Sequence, residues 1–248
     1  MEVYYAFLSA IIVSLVSFVG ALTLFFGSKR FKNIIFVLIG LAVGTLFGDV
    51  LIHLIPEIFS ELDGEAILPS ILIMTGILVF FVLEKFFHWH HAHTCEGDEC
   101  TLPRPVGYIN IVSESVHNLL DGILIGASYL VSIPIGVATT VAVIFHEIPQ
   151  EISDFGVLIH AGFSRGRALL VNFVSALFAI LGVLIAVIVG ARSAEFVQII
   201  LPLTAGGFLY LAGSDLVPEL HREQSVKRSI MQFFAILVGF TIMIFIPG

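Results

Sequence analysis

The segment HEIPQEISDF, His146 to Phe155, sets an imidazole and three carboxylates at helical spacing inside an otherwise apolar run. His146 and Gln150 are four apart, Glu147 and Glu151 likewise, and Asp154 follows a turn later, so these side chains share a helical face. Upstream, INIVSESVHNLLDG repeats the pattern with Asn110, Ser113, Glu114, His117, Asn118 and Asp121. Neutral imidazole mixed with carboxylate and amide oxygen suits divalent zinc, iron or manganese better than sodium or magnesium, which take all-oxygen shells. Pro149 gives no backbone donor, which frees a carbonyl near Phe145 beside such a site.

The elements that must carry these residues are membrane helices. Of the 248 residues, 58% are hydrophobic and only 12% charged, with a mean hydropathy of +1.07, far too little polar surface for a soluble chain of this length. Apolar stretches at roughly 4–26, 34–55, 67–87, 107–130, 134–160, 168–190, 196–218 and 230–247 are each long enough to cross about 30 Å of hydrocarbon as a helix. They are apolar on all sides, which argues against barrel strands. The expected fold is therefore all-α, a single polytopic membrane domain over residues 1–248 with about eight transmembrane helices and a loop at about 88–106.

Ten of the eleven Lys and Arg fall in or beside odd-numbered loops, Arg192 being the exception. Positive charge gathers on the cytoplasmic side, so a cell-membrane protein with both termini outside the cytoplasm is expected. The acidic second loop, PEIFSELDGEA, agrees, and the first apolar run, with no basic residues before it, reads as a retained helix rather than a cleaved signal. A net charge of -8 does not suggest nucleic-acid binding, and no nucleic-acid partner is expected.

Between Pro105 and Ser164 there are five carboxylates and no Lys or Arg. A charge near the bilayer centre costs about 2.5–3.5 kcal/mol on insertion scales. A lone His or Asn in a membrane helix is ordinarily helix-to-helix glue, but a set of acids without bases must draw its positive charge from protons, water or bound cations.

A second pattern concerns topology. GTLFGDVLIHLIPEI (Gly44 to Ile58) aligns without gaps on GGFLYLAGSDLVPEL (Gly206 to Leu220), matching Gly44 with Gly206, His53 with Asp215, Pro56 with Pro218 and Glu57 with Glu219. The charge bias makes these two helices run in opposite directions, as in carriers built from inverted repeats around a midplane site.

HNLLDGILIGAS, HEIPQEISDFGVLIHAG, GDVLIHLIPE and FLYLAGSDLVPEL resemble the fourth, fifth, second and seventh helix motifs of the ZIP (Zrt/Irt-like) divalent metal transporters, closest to the subgroup whose fifth helix reads HEIPHE. The resemblance covers nearly the whole chain. It implies a carrier that moves zinc, or iron, manganese or cadmium, into the cytoplasm, with three-helix inverted repeats flanking helices four and five. It also implies metal ligands at His117, Asn118, Asp121, His146 and Glu147. Gln150 stands where the subgroup has its second His, and helix six offers only Asn172 and Ser175 in place of an acid. One principal metal site, supplemented by Glu151, is therefore expected.

The expected route enters past His53 and Glu57 and leaves past Asp215 and Glu219. The loop HWHHAHTCEGDEC carries His88, His90, His91, His93, Cys95 and Cys100, which suit a landing place for emerging metal, although a merely solvated loop reads equally well. No phosphate-binding glycine loop is present, so ATP is not the expected driver. Two rivals stay open, a proton-coupled exporter with the same ligands and a membrane zinc hydrolase, although HEIPQE lacks HExxH spacing. The expected partners are the divalent ion as transported substrate, the bilayer and, as an option, a second copy in a homodimer, with no resident cofactor required.

Overall fold

A computed structural model describes residues 1–24, 28–60, 67–89, 104–193, 195–221 and 225–246. Among these described residues eight helical rods follow in order. α1 joins Glu2–Val16 to a tighter turn, Ser17–Leu24; α2 joins Ser28–Gly48, Asp49–Leu54 and Ile55–Ser60; α3 is Ile67–Trp89; α4 is Arg104–Val131. α5 is Ile133–His160; α6 joins Arg165–Ala176 and Phe178–Gly190; α7 joins Glu195–Tyr210, Leu211–Leu216 and Val217–His221; α8 is Val226–Phe245. Among the described residues, six rods are both long and apolar enough to span a membrane, and α3 adds a shorter apolar run, Ile67–Leu83. α4 is not among them, its hydropathy lowered by the polar residues that build the site described below. The expectation of an all-α, polytopic membrane protein is met.

A single residue, Ser132, separates α4 from α5. Its extended backbone ends one helix and its Oγ accepts from the Ile135 N–H at 3.3 Å, while Pro134 stands in the first turn, where no backbone donor is required. The result is a tight antiparallel hairpin. Thr139 meets Ser128, His146 meets Asp121, Gln150 meets Glu114, and Asp154 meets Asn110 in steady register.

The other rods pack by close approach at glycine. A Cβ at Gly44 would overlap the Ile236 carbonyl of α8, and one at Gly239 the Leu41 carbonyl of α2. Gly76 and Gly206 join α3 to α7 in the same way, and Gly122 and Gly182 join α4 to α6. Without a hydrophobic drive between helices in lipid, such small-residue contacts supply the packing. Large apolar side chains on α3 and α8, among them Ile71, Leu78, Phe233 and Leu237, stay exposed, as lipid-facing residues do.

The internal repeat is visible in the backbone. In α2 the Ile55 N–H reaches back five residues to the Val50 carbonyl, and in α7 the Val217 N–H reaches back five to Ala212. These wide turns, Asp49–Leu54 and Leu211–Leu216, coincide in the alignment that pairs Gly44 with Gly206. Each precedes a proline, Pro56 or Pro218, whose ring crowds the carbonyl four residues before it, and widening the turn relieves the clash. The two rods run oppositely: Ile39 and Val43 near the start of α2 cluster with Leu220 at the end of α7. Glu57 and Ile58 at the other end of α2 line a cavity with Val197, Gln198 and Leu201 near the start of α7.

Candidate metal site

The α4–α5 hairpin brings four side chains to one point. His146 Nε2 lies 3.1 Å from Asp121 Oδ2, 3.4 Å from His117 Nε2 and 3.5 Å from Glu147 Oε1. His117 Nε2 lies 3.4 Å from Glu147 Oε1 and 3.8 Å from Asp121 Oδ2. A tetrahedral ion with bonds of about 2.0–2.2 Å needs its donor atoms about 3.3–3.6 Å apart; the 3.4, 3.4 and 3.5 Å spacings fall in that range and the 3.1 and 3.8 Å ones lie just outside it, close to what four ligands around one small cation require. Asp121, His146 and Glu147 are about 1% exposed, and Glu147 Oε1 has no hydrogen-bond donor. Two imidazole nitrogens facing each other repel unless a proton or a metal lies between them. With its Nδ1–H donating to the Ala142 carbonyl at 3.1 Å, His146 keeps the Nε2 lone pair free and its ring fixed. The ring also meets Phe208 of α7 edge-on, with centroids 6.0 Å apart.

One turn further along the hairpin, carboxylate oxygens of Glu114, Glu147 and Glu151 gather within 4.8 Å of one another, all buried. The Asn118 amide donates to Glu114 Oε1 at 2.9 Å and the Gln150 amide to Glu114 Oε2 at 3.0 Å. Glu151 accepts from the Asn172 amide of α6. Asn118 Oδ1 and Glu151 Oε1 are left without partners. Of the sequence-derived ligands, His117, Asp121, His146 and Glu147 therefore form the four-atom group. Asn118, Gln150 and Glu151 belong to the adjoining carboxylate set, where the sequence pointed to a single centre.

The remaining candidates lie elsewhere. His53 is 3% exposed, with Nδ1 3.3 Å from Asp49 Oδ1 and Nε2 3.1 Å from the Ile246 carbonyl. Glu57 lines a cavity of about 480 Å³ between the ends of α2, α3, α4, α6 and α7. Glu219 is exposed near the end of α7 and Asp215 lies in its wide turn. His88 is in the last turn of α3, and His90, His91, His93, Cys95 and Cys100 fall outside the described residues. From sequence alone Glu114 and Asp154 are charges inside an apolar region with no assigned role. The same reading misses Asp49, whose spacing of four from His53 is the available signal.

The sequence profile described as ZIP Zinc transporter matches residues 3–101 and 89–247. The chain is 32% identical to Zinc transporter ZIP13 of Pongo abelii, over 84% of this chain and 65% of that protein. It is 30% identical to Zinc transporter YKE4 of Saccharomyces cerevisiae, over 84% and 69%, and 29% identical to Metal cation symporter ZIP14 of Xenopus tropicalis, over 97% and 68%. The chain thus spans about two thirds of the length of these curated relatives.

Proposed function

This chain belongs to the ZIP zinc transporter family, and from that premise we propose that it carries a divalent transition metal, zinc first, across a membrane into the cytoplasm without ATP. The observation that carries the reading is the four-atom group of His117, Asp121, His146 and Glu147, built close to tetrahedral spacing on the α4–α5 hairpin. The relatives' names, which speak of zinc and metal cation transport, support it. In this reading the ion sheds its water as imidazole and carboxylate replace it, and the two inverted repeats open the site to each side in turn. The cavity beside Glu57 is the outer approach, the termini are outside the cytoplasm, and the His/Cys loop adjusts metal delivery without belonging to the route.

An exporter would use the same ligands, so the direction of flux against an imposed gradient decides between the two. A hydrolase needs an open metal position for water; four side chains able to hold one ion together support a carrier rather than a hydrolase. Radioactive zinc flux in sealed proteoliposomes, with and without a proton gradient, tests the proposal. His117→Ala and Glu147→Ala should each cut flux about a hundredfold or more, because each removes a metal donor and little packing. Near-normal flux in either folded variant would sink the site assignment.

A further inference from the structure

The four-atom group is buried, and an ion held there needs a way to water. Three acids of α5, Glu147, Glu151 and Asp154, recur at four and three residues, a line about 10 Å long at about 1.5 Å per residue. Glu147 belongs to the tetrahedral group and Glu151 to the carboxylate set. Asp154 is the last acid before the exposed end of the hairpin, where Tyr108 is 50% exposed and His160 is exposed.

Asp154 itself is only 8% exposed. Its Oδ1 accepts from the Asn110 amide across the hairpin at 3.1 Å, its Oδ2 meets no amide, hydroxyl or imidazole donor, and its carboxyl lies within hydrogen-bonding reach of the Glu114 carboxyl and faces that of Glu151. A pair serving only to hold two helices together would leave no buried oxygen unpartnered among other acids, since that arrangement costs free energy with no return. Glu147 Oε1, Glu151 Oε1 and Asp154 Oδ2 are all buried without a hydrogen-bond donor, and their residues succeed one another along α5 from the tetrahedral group towards that end.

We propose that Asp154, with Asn110 opposite, is a separate ligand station at which the transported ion passes between the buried site and water at the Tyr108 and His160 end of the hairpin. The station takes a divalent transition metal that still holds part of its water shell, because one carboxylate and one amide cannot complete a tetrahedron. It places the way out on α5 rather than at Asp215 and Glu219 of α7. The inference rests on the transport reading above, and the test separates the two.

Asp154→Asn preserves the side chain's size and its bond to Asn110 but removes the charge. Zinc flux should fall about tenfold while equilibrium zinc binding at the buried group stays within about twofold, the pattern for a group outside the tightest ligand set. Unchanged flux would show the pair to be structural and would overturn the station. In a Cys95→Ser, Cys100→Ser background, Asp154→Cys, and separately Asn110→Cys, should react with a water-soluble methanethiosulfonate reagent, and cadmium ion should protect both thiols. A thiol that does not react, or reacts equally with and without cadmium, counts against the station even where the Asn variant misfolds. Absence of flux in wild-type liposomes together with cadmium protection would overturn the transport reading and leave Asp154 and Asn110 as a metal-binding pair outside any transport route.

Discussion

Gln150 shows how a single side chain can share a helical face with a metal ligand and still serve another group. Its spacing of four from His146 suggests a weak donor to the same ion. In the folded hairpin its amide instead donates to Glu114 Oε2, because α4 presents Glu114 opposite that turn and His117 one turn away. Periodicity reveals a face; only the register between two helices says which residues meet across it. An imidazole at position 150 would therefore lie beside Glu114. In calorimetry Gln150→His should add a second zinc-binding event rather than tighten the first, and a tighter single event would place the side chain at the four-atom group after all. Acid should weaken the first event in both proteins, since His117 and His146 bind metal only through unprotonated nitrogen. Affinity that does not change as pH falls would argue against imidazole ligation.

At the scale of helices, more was legible. The apolar runs locate all eight rods to within several residues, and the polar stripes identify the α4–α5 hairpin as the carrier of the site. The sequence match of α2 to α7 finds its counterpart in two wide turns before Pro56 and Pro218. What could not be read was which helix each glycine touches, because a missing Cβ leaves no chemical signature of its partner. Gly206 packs against Ile73 of α3 so closely that an added methyl must push the helices apart. Gly206→Ala should cost about 1–3 kcal/mol, the range for an overpacked contact, seen as a lower thermal midpoint in detergent. Gly213→Ala, in the same rod but with nothing within 4 Å of its Cβ, should leave the midpoint unchanged. Equal midpoints for the two variants would mean that α3 and α7 are not locked at Gly206.

Across the whole molecule two sets of four helices can be distinguished, packed against each other chiefly where α2 meets α5 and α4 meets α7, around one shared apolar core. α1, α4 and α6 are tied by the Ser9–Tyr129 and Ser14–Ala176 hydrogen bonds, the stacked Phe18 and Phe173, and the Gly122–Gly182 approach, and α5 joins them through Gly20 of α1 against Phe155 and the Asn172 amide of α6 on Glu151. α2, α3, α7 and α8 are tied by their own glycine pairs and by the Gln232 amide on the Leu220 carbonyl. Apart from the Thr139–Asp49 hydrogen bond at 3.1 Å and the edge-on contact of the His146 ring with Phe208, the sets meet largely through apolar core, and the cavity of about 480 Å³ lies between them. Every residue of the four-atom group belongs to the first set. Movement of that set against the second would carry the whole site without breaking its geometry, which suits a carrier whose ligands must stay together while access changes. Leu130 of the first set and Leu201 of the second both line the cavity. In a Cys95→Ser, Cys100→Ser background, bridging Leu130→Cys to Leu201→Cys with a short reducible thiol reagent should stop zinc flux, and reduction should restore it. The same reagent on Phe18→Cys and Phe173→Cys, within one set where the rings lie 4.8 Å apart, should leave flux intact. Flux that persists through the first bridge would mean that transport needs no relative movement at this cavity, and flux stopped by the second would mean that the first set does not move as one body.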